Sequence, residues 1–167
     1  ATANPTPSDP ASAAPSASVV GPSVSASAAA QQIEVIGTDY AYSDIGATLS
    51  GPVTFTFKNE GQDVHELVLV RKNDDVTETF QELLAMPQEA SAEKIGFMGV
   101  AMAAPGAIAP ESVSAAQPGE YLMVCFIPQG TKSIPSMAPD ASGPPEGLGD
   151  GPPHFTLGML REFTISE

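Results

Sequence analysis

The chain holds two histidines, His65 and His154, a single cysteine, Cys125, and six methionines. Side chains of these types bind soft and borderline metal ions, and being so few they make each position informative. His65 opens the run HELVLVR just after a turn, Cys125 lies near the end of GEYLMVCFI, and His154 precedes Met159 in HFTLGM. Two imidazoles, a thiolate and a thioether suit a copper ion alternating between Cu(I) and Cu(II). Sulfur favours the reduced ion, imidazole accepts both, and a weak axial thioether leaves a near-trigonal site between the preferences of the two. Taken singly, each residue has a plainer reading: a cysteine in an apolar strand is usually a buried small side chain, a strand-end histidine a satisfied polar group, and a methionine a gap filler. The joint pattern singles out His65, Cys125, His154 and Met159.

Little else in the sequence could do chemistry. There is no Ser/His/Asp order, no phosphate-cradling glycine loop and no zinc-like Cys/His cluster. With both histidines committed near Cys125, little remains for acid–base catalysis, and the chain is not expected to be an enzyme. Met98 and Met102, with Met86 and Met137, offer a thioether set for Cu(I), but core packing is preferred because Phe97, Val100 and Ile108 lie in the same region. The pairs Asp74-Asp75 and Glu89/Glu93 are assigned to solvent.

The elements that must position the four ligands are short and β-like. Residues 1–31 are dominated by Ala, Ser and Pro, which cannot build a core, and are read as a disordered tether. A domain is expected over 32–167. Alternation marks strands at 32–37 and 53–58 (VTFTFK), the second ending in Asn59-Glu60-Gly61. Further strands are expected at 65–71, 113–115, 119–127 and 159–165. Residues 77–85 (TETFQELLA) space Phe80, Leu83 and Leu84 as one helical face, with Thr77 or Asn73-Asp74 as cap and Pro87 as stop, and this is the only helix expected. The result is an all-β antiparallel sandwich with a helical insertion. Residues 132–153 form a long Pro- and Gly-rich stretch between two strong strands, a place where such loops are unusual and are commonly either functional or disordered.

Composition agrees. A net charge of −14 excludes nucleic acid as a partner. With 15 Gly and 17 Pro, long helices are disfavoured, and one Cys excludes an internal disulfide framework. Neither of the uncharged windows, 10–33 and 95–110, has the unbroken apolar length of a membrane span, so a soluble chain is expected, with any export signal removed ahead of Ala1.

The residues VTFTFKNEGQDVHELVLV, GEYLMVCFIP and HFTLGM together resemble the cupredoxins, or blue copper proteins, such as plastocyanin, azurin and auracyanin. The resemblance covers most of the folded part and implies a Greek-key β-sandwich binding one copper per chain through His65, Cys125 and His154, with Met159 as weak axial ligand. It also implies that the Val64 carbonyl corresponds to an oxygen that approaches the metal in some members, and that His154 lies at an apolar surface through which electrons leave. The expected function is single-electron transfer between redox partners outside the cytoplasm, by a monomer, periplasmic or at the cell surface, whose tether is a candidate for membrane or wall attachment. Its acidity would steer a partner with a basic docking surface. The alternative is a copper-carrying or buffering protein, or a metal-free cupredoxin-like module that binds another protein.

Two features depart from the family. In familiar members the cysteine and second histidine are a few residues apart, whereas residues 126–153 separate Cys125 from His154 here. The excess is expected to bulge outward while Pro128 and Pro152-Pro153 hold its ends. Glu66 stands where small members have an Asn that braces the cysteine loop; a carboxylate accepts but does not donate, so the four ligands carry over and the brace does not.

Overall fold

The computed structural model describes residues 1–3, 30–135 and 147–167. Most of the expected tether, Met137 and the middle of the 132–153 loop lie outside the described residues. Among these residues the chain forms β1 (Gln31–Thr38), β2 (Ala41–Tyr42), β3 (Thr48–Ser50), β4 (Val53–Asn59), β5 (His65–Lys72), α1 (Phe80–Ala85), α2 (Gln88–Ala92), β6 (Ile95–Ala103), β7 (Val113–Ala115), β8 (Gly119–Val124), a 3-10 turn (His154–Leu157) and β9 (Leu160–Ser166).

Alternation explains β4: Val53, Phe55 and Phe57 point inward and are fully buried, with half-exposed threonines and Lys58 between them. The strands assemble into a four-stranded sheet, β2-β1-β4-β7, and a five-stranded sheet, β3-β9-β8-β5-β6. Most pairs are antiparallel, as expected, but β1 with β4 and β3 with β9 run parallel. The chain leaves the first sheet after β2, contributes β3 to the second and returns as β4. Such a crossing brings β4 alongside β1 in the same direction.

β5 and β8 are buried on both faces because each separates two apolar clusters. On the inner face, Leu67, Leu69, Tyr121, Met123 and Cys125 join Phe55, Phe57, Phe163 and Ile165 in the main core. On the outer face, Val68, Val70, Leu122 and Val124 pack beneath Phe80 and Leu83 of α1. Full burial of one such side chain contributes about 1.5–3 kcal/mol.

The helical insertion differs from expectation at its ends. Thr79 is the N-cap of α1, its hydroxyl accepting from the Glu82 N–H while the Glu82 carboxylate accepts from the Thr79 N–H, a closed capping box. Pro87 stops α1 and also starts a second short helix, α2. β6 is a further strand, bearing Met98 and Met102. Met102 packs against the core, whereas Met98 is exposed, along with Phe97 at 65%.

Candidate metal centre

The turn between β4 and β5 delivers His65. Asn59, fully buried, donates through its side chain to the carbonyls of Asp63 and Ala103 (2.8 and 2.9 Å) and accepts from the Gly61 N–H. The Tyr42 hydroxyl pins the start of β5 by donating to the Glu66 carbonyl. Cys125 follows directly on β8 and keeps its inward alternation. The 3-10 turn then brings back His154: its N–H donates to the Ile127 carbonyl (2.9 Å), and the Phe155 N–H donates to the Cys125 carbonyl (2.9 Å).

The long loop between Cys125 and His154 is pinched at its neck. Pro128 bridges to Pro153, the Gln129 N–H donates to the Pro152 carbonyl and the Gly151 N–H to the Gln129 carbonyl. At Gly151 a Cβ would come within 2.5 Å of the Gln129 Cβ, so only glycine permits the approach. The neck also docks on the His65 turn, with the Val64 N–H donating to the Thr131 carbonyl (2.7 Å) and the Gly130 N–H to Asp63 (2.8 Å).

His65, Cys125 and His154 converge, with one ligand atom from each lying within 4.8 Å of the others, and all three are buried. The two Nδ1 atoms face each other at 3.0 Å, and the Cys125 Sγ is 3.4 Å from the His154 Nδ1. Met159 is fully buried beside them; its N–H donates to the His154 carbonyl and its carbonyl accepts from the Cys125 N–H. The four sequence-selected residues therefore occupy one region, three of them with donor atoms close enough to touch a single ion.

Charge around the donors is ordered. The His65 Nε2 is 2.7 Å from Asp39. The His154 Nε2, buried and without a hydrogen-bond partner, faces Asp63 at 3.5 Å. Burial holds both imidazoles below their ordinary value, against the pull of these carboxylates, so they are neutral at neutral pH. Burial pushes the Cys125 thiol up to about 12, opposed by the Glu66 and Ile127 N–H groups. Asp63 is lowered to about 2: burial opposes ionisation, but Lys132, the Gly130 N–H and Tyr40 outweigh it. The two Nδ1 atoms and the sulfur thus crowd together, with a carboxylate beside the outer nitrogen of each ring. Such a crowd of donors is poorly satisfied on its own and well satisfied by a cation, so the residues present fit a copper ion.

Glu66 turns inward. It is 8% exposed, its carboxylate accepts from the Phe126 N–H (3.0 Å), and its own N–H points at Cys125 Sγ (3.5 Å). An acidic residue thus braces the cysteine loop after all, as an acceptor. The expected surface position of His154 is corrected: the residue is fully buried, with the Tyr40 ring over it at 4.6 Å between centroids. The apolar surface beside the site is formed instead by Phe126 (44% exposed), Phe155, Leu157 and Leu160. Asp39, Tyr40 and Asp63 escaped the sequence reading, and the one available signal, Asp63 two positions before a ligand histidine, is faint in a chain with 20 acidic residues.

Solved structures supply the comparison. The chain is similar to dithionite-reduced auracyanin from Roseiflexus castenholzii, at 22% identity and a TM-score of 0.46, over 83% of this chain and 99% of that one. It is similar to auracyanin A, a blue copper protein from Chloroflexus aurantiacus, at 18% identity and a TM-score of 0.45, over 83% and 100%. An azurin from Methylomonas sp. strain J matches at 16% identity and a TM-score of 0.41, over 83% and 100%. No protein-family model and no curated protein sequence matches the chain.

Proposed function

We propose that this chain is a type 1 copper protein of the cupredoxin kind, passing single electrons between partners outside the cytoplasm. The observation that carries the reading is the buried convergence of His65, Cys125 and His154 with Met159 beside them. Copper held there supplies one-electron exchange between Cu(I) and Cu(II). The protein's own part is to hold the donors still. Cys125, Phe155, His154 and Met159 are tied by backbone hydrogen bonds, and β5 and β8 clamp the site from a packed core, so ligand positions change little with charge.

A redox partner docks, on this reading, at the face of Phe126, Phe155, Leu157 and Leu160, where Phe126 is one residue from the thiolate ligand. The net charge of −14 favours a partner with a basic rim. No described helix is long and apolar enough to cross a membrane; placement outside the cytoplasm and tethering through the N-terminal segment belong to the proposal, as does a monomeric state.

The alternative of copper carriage drew on the long loop and on Glu66. The pinched neck and the Glu66–Phe126 hydrogen bond weaken both supports, because each fixes the cysteine loop. Protein-film voltammetry of the copper-loaded chain tests the proposal: a reversible one-electron wave is expected. Binding of Cu(I) alone, with transfer to an acceptor and no stable Cu(II) form, would contradict it.

A further inference from the structure

The two histidines are each backed by a carboxylate from the same end of the sandwich, and the contacts are specific. Asp39, in the turn after β1, lies with Oδ1 2.7 Å from His65 Nε2, while its two oxygens also accept from the Gln62 N–H (3.1 and 2.9 Å). Asp63 faces the orphaned Nε2 of His154 and is itself held by Lys132, the Gly130 N–H and the Tyr40 hydroxyl. Gly61 leaves the room this needs: a Cβ there would come 2.5 Å from His65 Nε2 and would also strike Asp39 Oδ1.

We propose that Asp39 is a positioning residue that keeps the proton of His65 on Nε2, so that its Nδ1 lone pair points at the metal, with Gly61 as the gap that admits the contact, and that Asp63 orients His154 by its charge alone. The reading rests on the copper proposal for the word metal, but the tautomer is a property of the chain alone. A carboxylate opposite Nε2 can only accept, so the proton must sit there, and the imidazole becomes a stronger electron donor through Nδ1. Asp39 acts by a direct hydrogen bond, and Asp63, at 3.5 Å, by charge. Asp39 therefore has the larger effect.

Two measurements on the full chain separate this from the function it serves. Long-range 1H–15N NMR of the metal-free protein with 15N-labelled histidine should show His65 protonated on Nε2. Asp39→Ala should give mixed tautomers, whereas Asp39→Asn, whose amide oxygen still accepts, should keep the proton on Nε2. Chelator competition should then show Cu(II) affinity about 10- to 100-fold weaker in Asp39→Ala, with a smaller loss in Asp39→Asn. Gly61→Ala should reproduce the Asp39→Ala tautomer although both side chains remain. His65 protonated on Nδ1 in the wild type, or an unaltered tautomer in a folded Asp39→Ala, overturns the proposal. Wild-type protein that binds no copper but shows the expected His65 tautomer would sink the copper reading and leave this one standing.

Discussion

Cys125 enters metal binding as a thiol, since burial raises it to about 12, while both imidazoles are already neutral at neutral pH. On the proposed copper reading only the thiolate binds the ion, so uptake would expel the sulfur proton and no net proton from either imidazole. About one proton per copper is therefore expected above pH 7, with apparent affinity rising about tenfold per pH unit as long as the thiol stays protonated. Calorimetry in buffers of different ionisation enthalpy counts that proton, and zero release would contradict the burial argument. At this scale the sequence was readable where residue types are rare: two histidines and one cysteine leave few ways to combine. It was silent on Asp39 and Asp63, because an acidic residue acquires this role only from what folding places against it. Glu66 was readable as an oddity, and its direction depended on packing between β5 and the end of β8.

α1 and α2 lie on the outer face of the five-stranded sheet, away from the inner face that carries Cys125. Truncating Phe80 to Ala, beneath which Leu122 and Val124 pack, is expected to destabilise the fold by about 3 kcal/mol and leave the visible spectrum of the copper-loaded protein unchanged. Thr79→Ala opens the capping box and should cost about 1 kcal/mol. Asn59→Ala is different in kind, because it strips two buried carbonyls of their donor in the turn that delivers His65. A loss of about 1–3 kcal/mol is expected together with weakened copper binding, measured by urea unfolding and chelator competition. Strands β4, β5 and β8 were legible from alternation or from continuous apolar runs. β6 was hidden by Gly96 and Gly99, the latter at φ +142° where the register with β5 slips and where a Cβ would meet the Val113 side chain at 3.1 Å. A glycine that serves a bulge is indistinguishable, in sequence, from one that ends a strand.

For the whole molecule, the sandwich was legible and the parallel pairings of β1 with β4 and β3 with β9 were not, since register between distant strands is set by how the chain crosses between sheets. The closed neck of the 132–153 loop shows how a long insertion is tolerated: loop-closure entropy grows slowly with length, and hydrogen bonds at the base hold Cys125 and His154 in place. Charge also acts at this scale. Reduction of the copper-loaded protein by a small cationic complex should slow as ionic strength rises, because −14 charges attract it at low salt; a stopped-flow rate that stays flat would remove the steering. The most direct measurement on the central claim is a visible absorption titration with Cu(II), repeated with Cys125→Ser. An intense thiolate-to-copper band that saturates at about one equivalent and vanishes in the variant is expected for the convergent His65, Cys125 and His154 donors. A colourless wild-type protein, or a band that survives the loss of the sulfur, would contradict it.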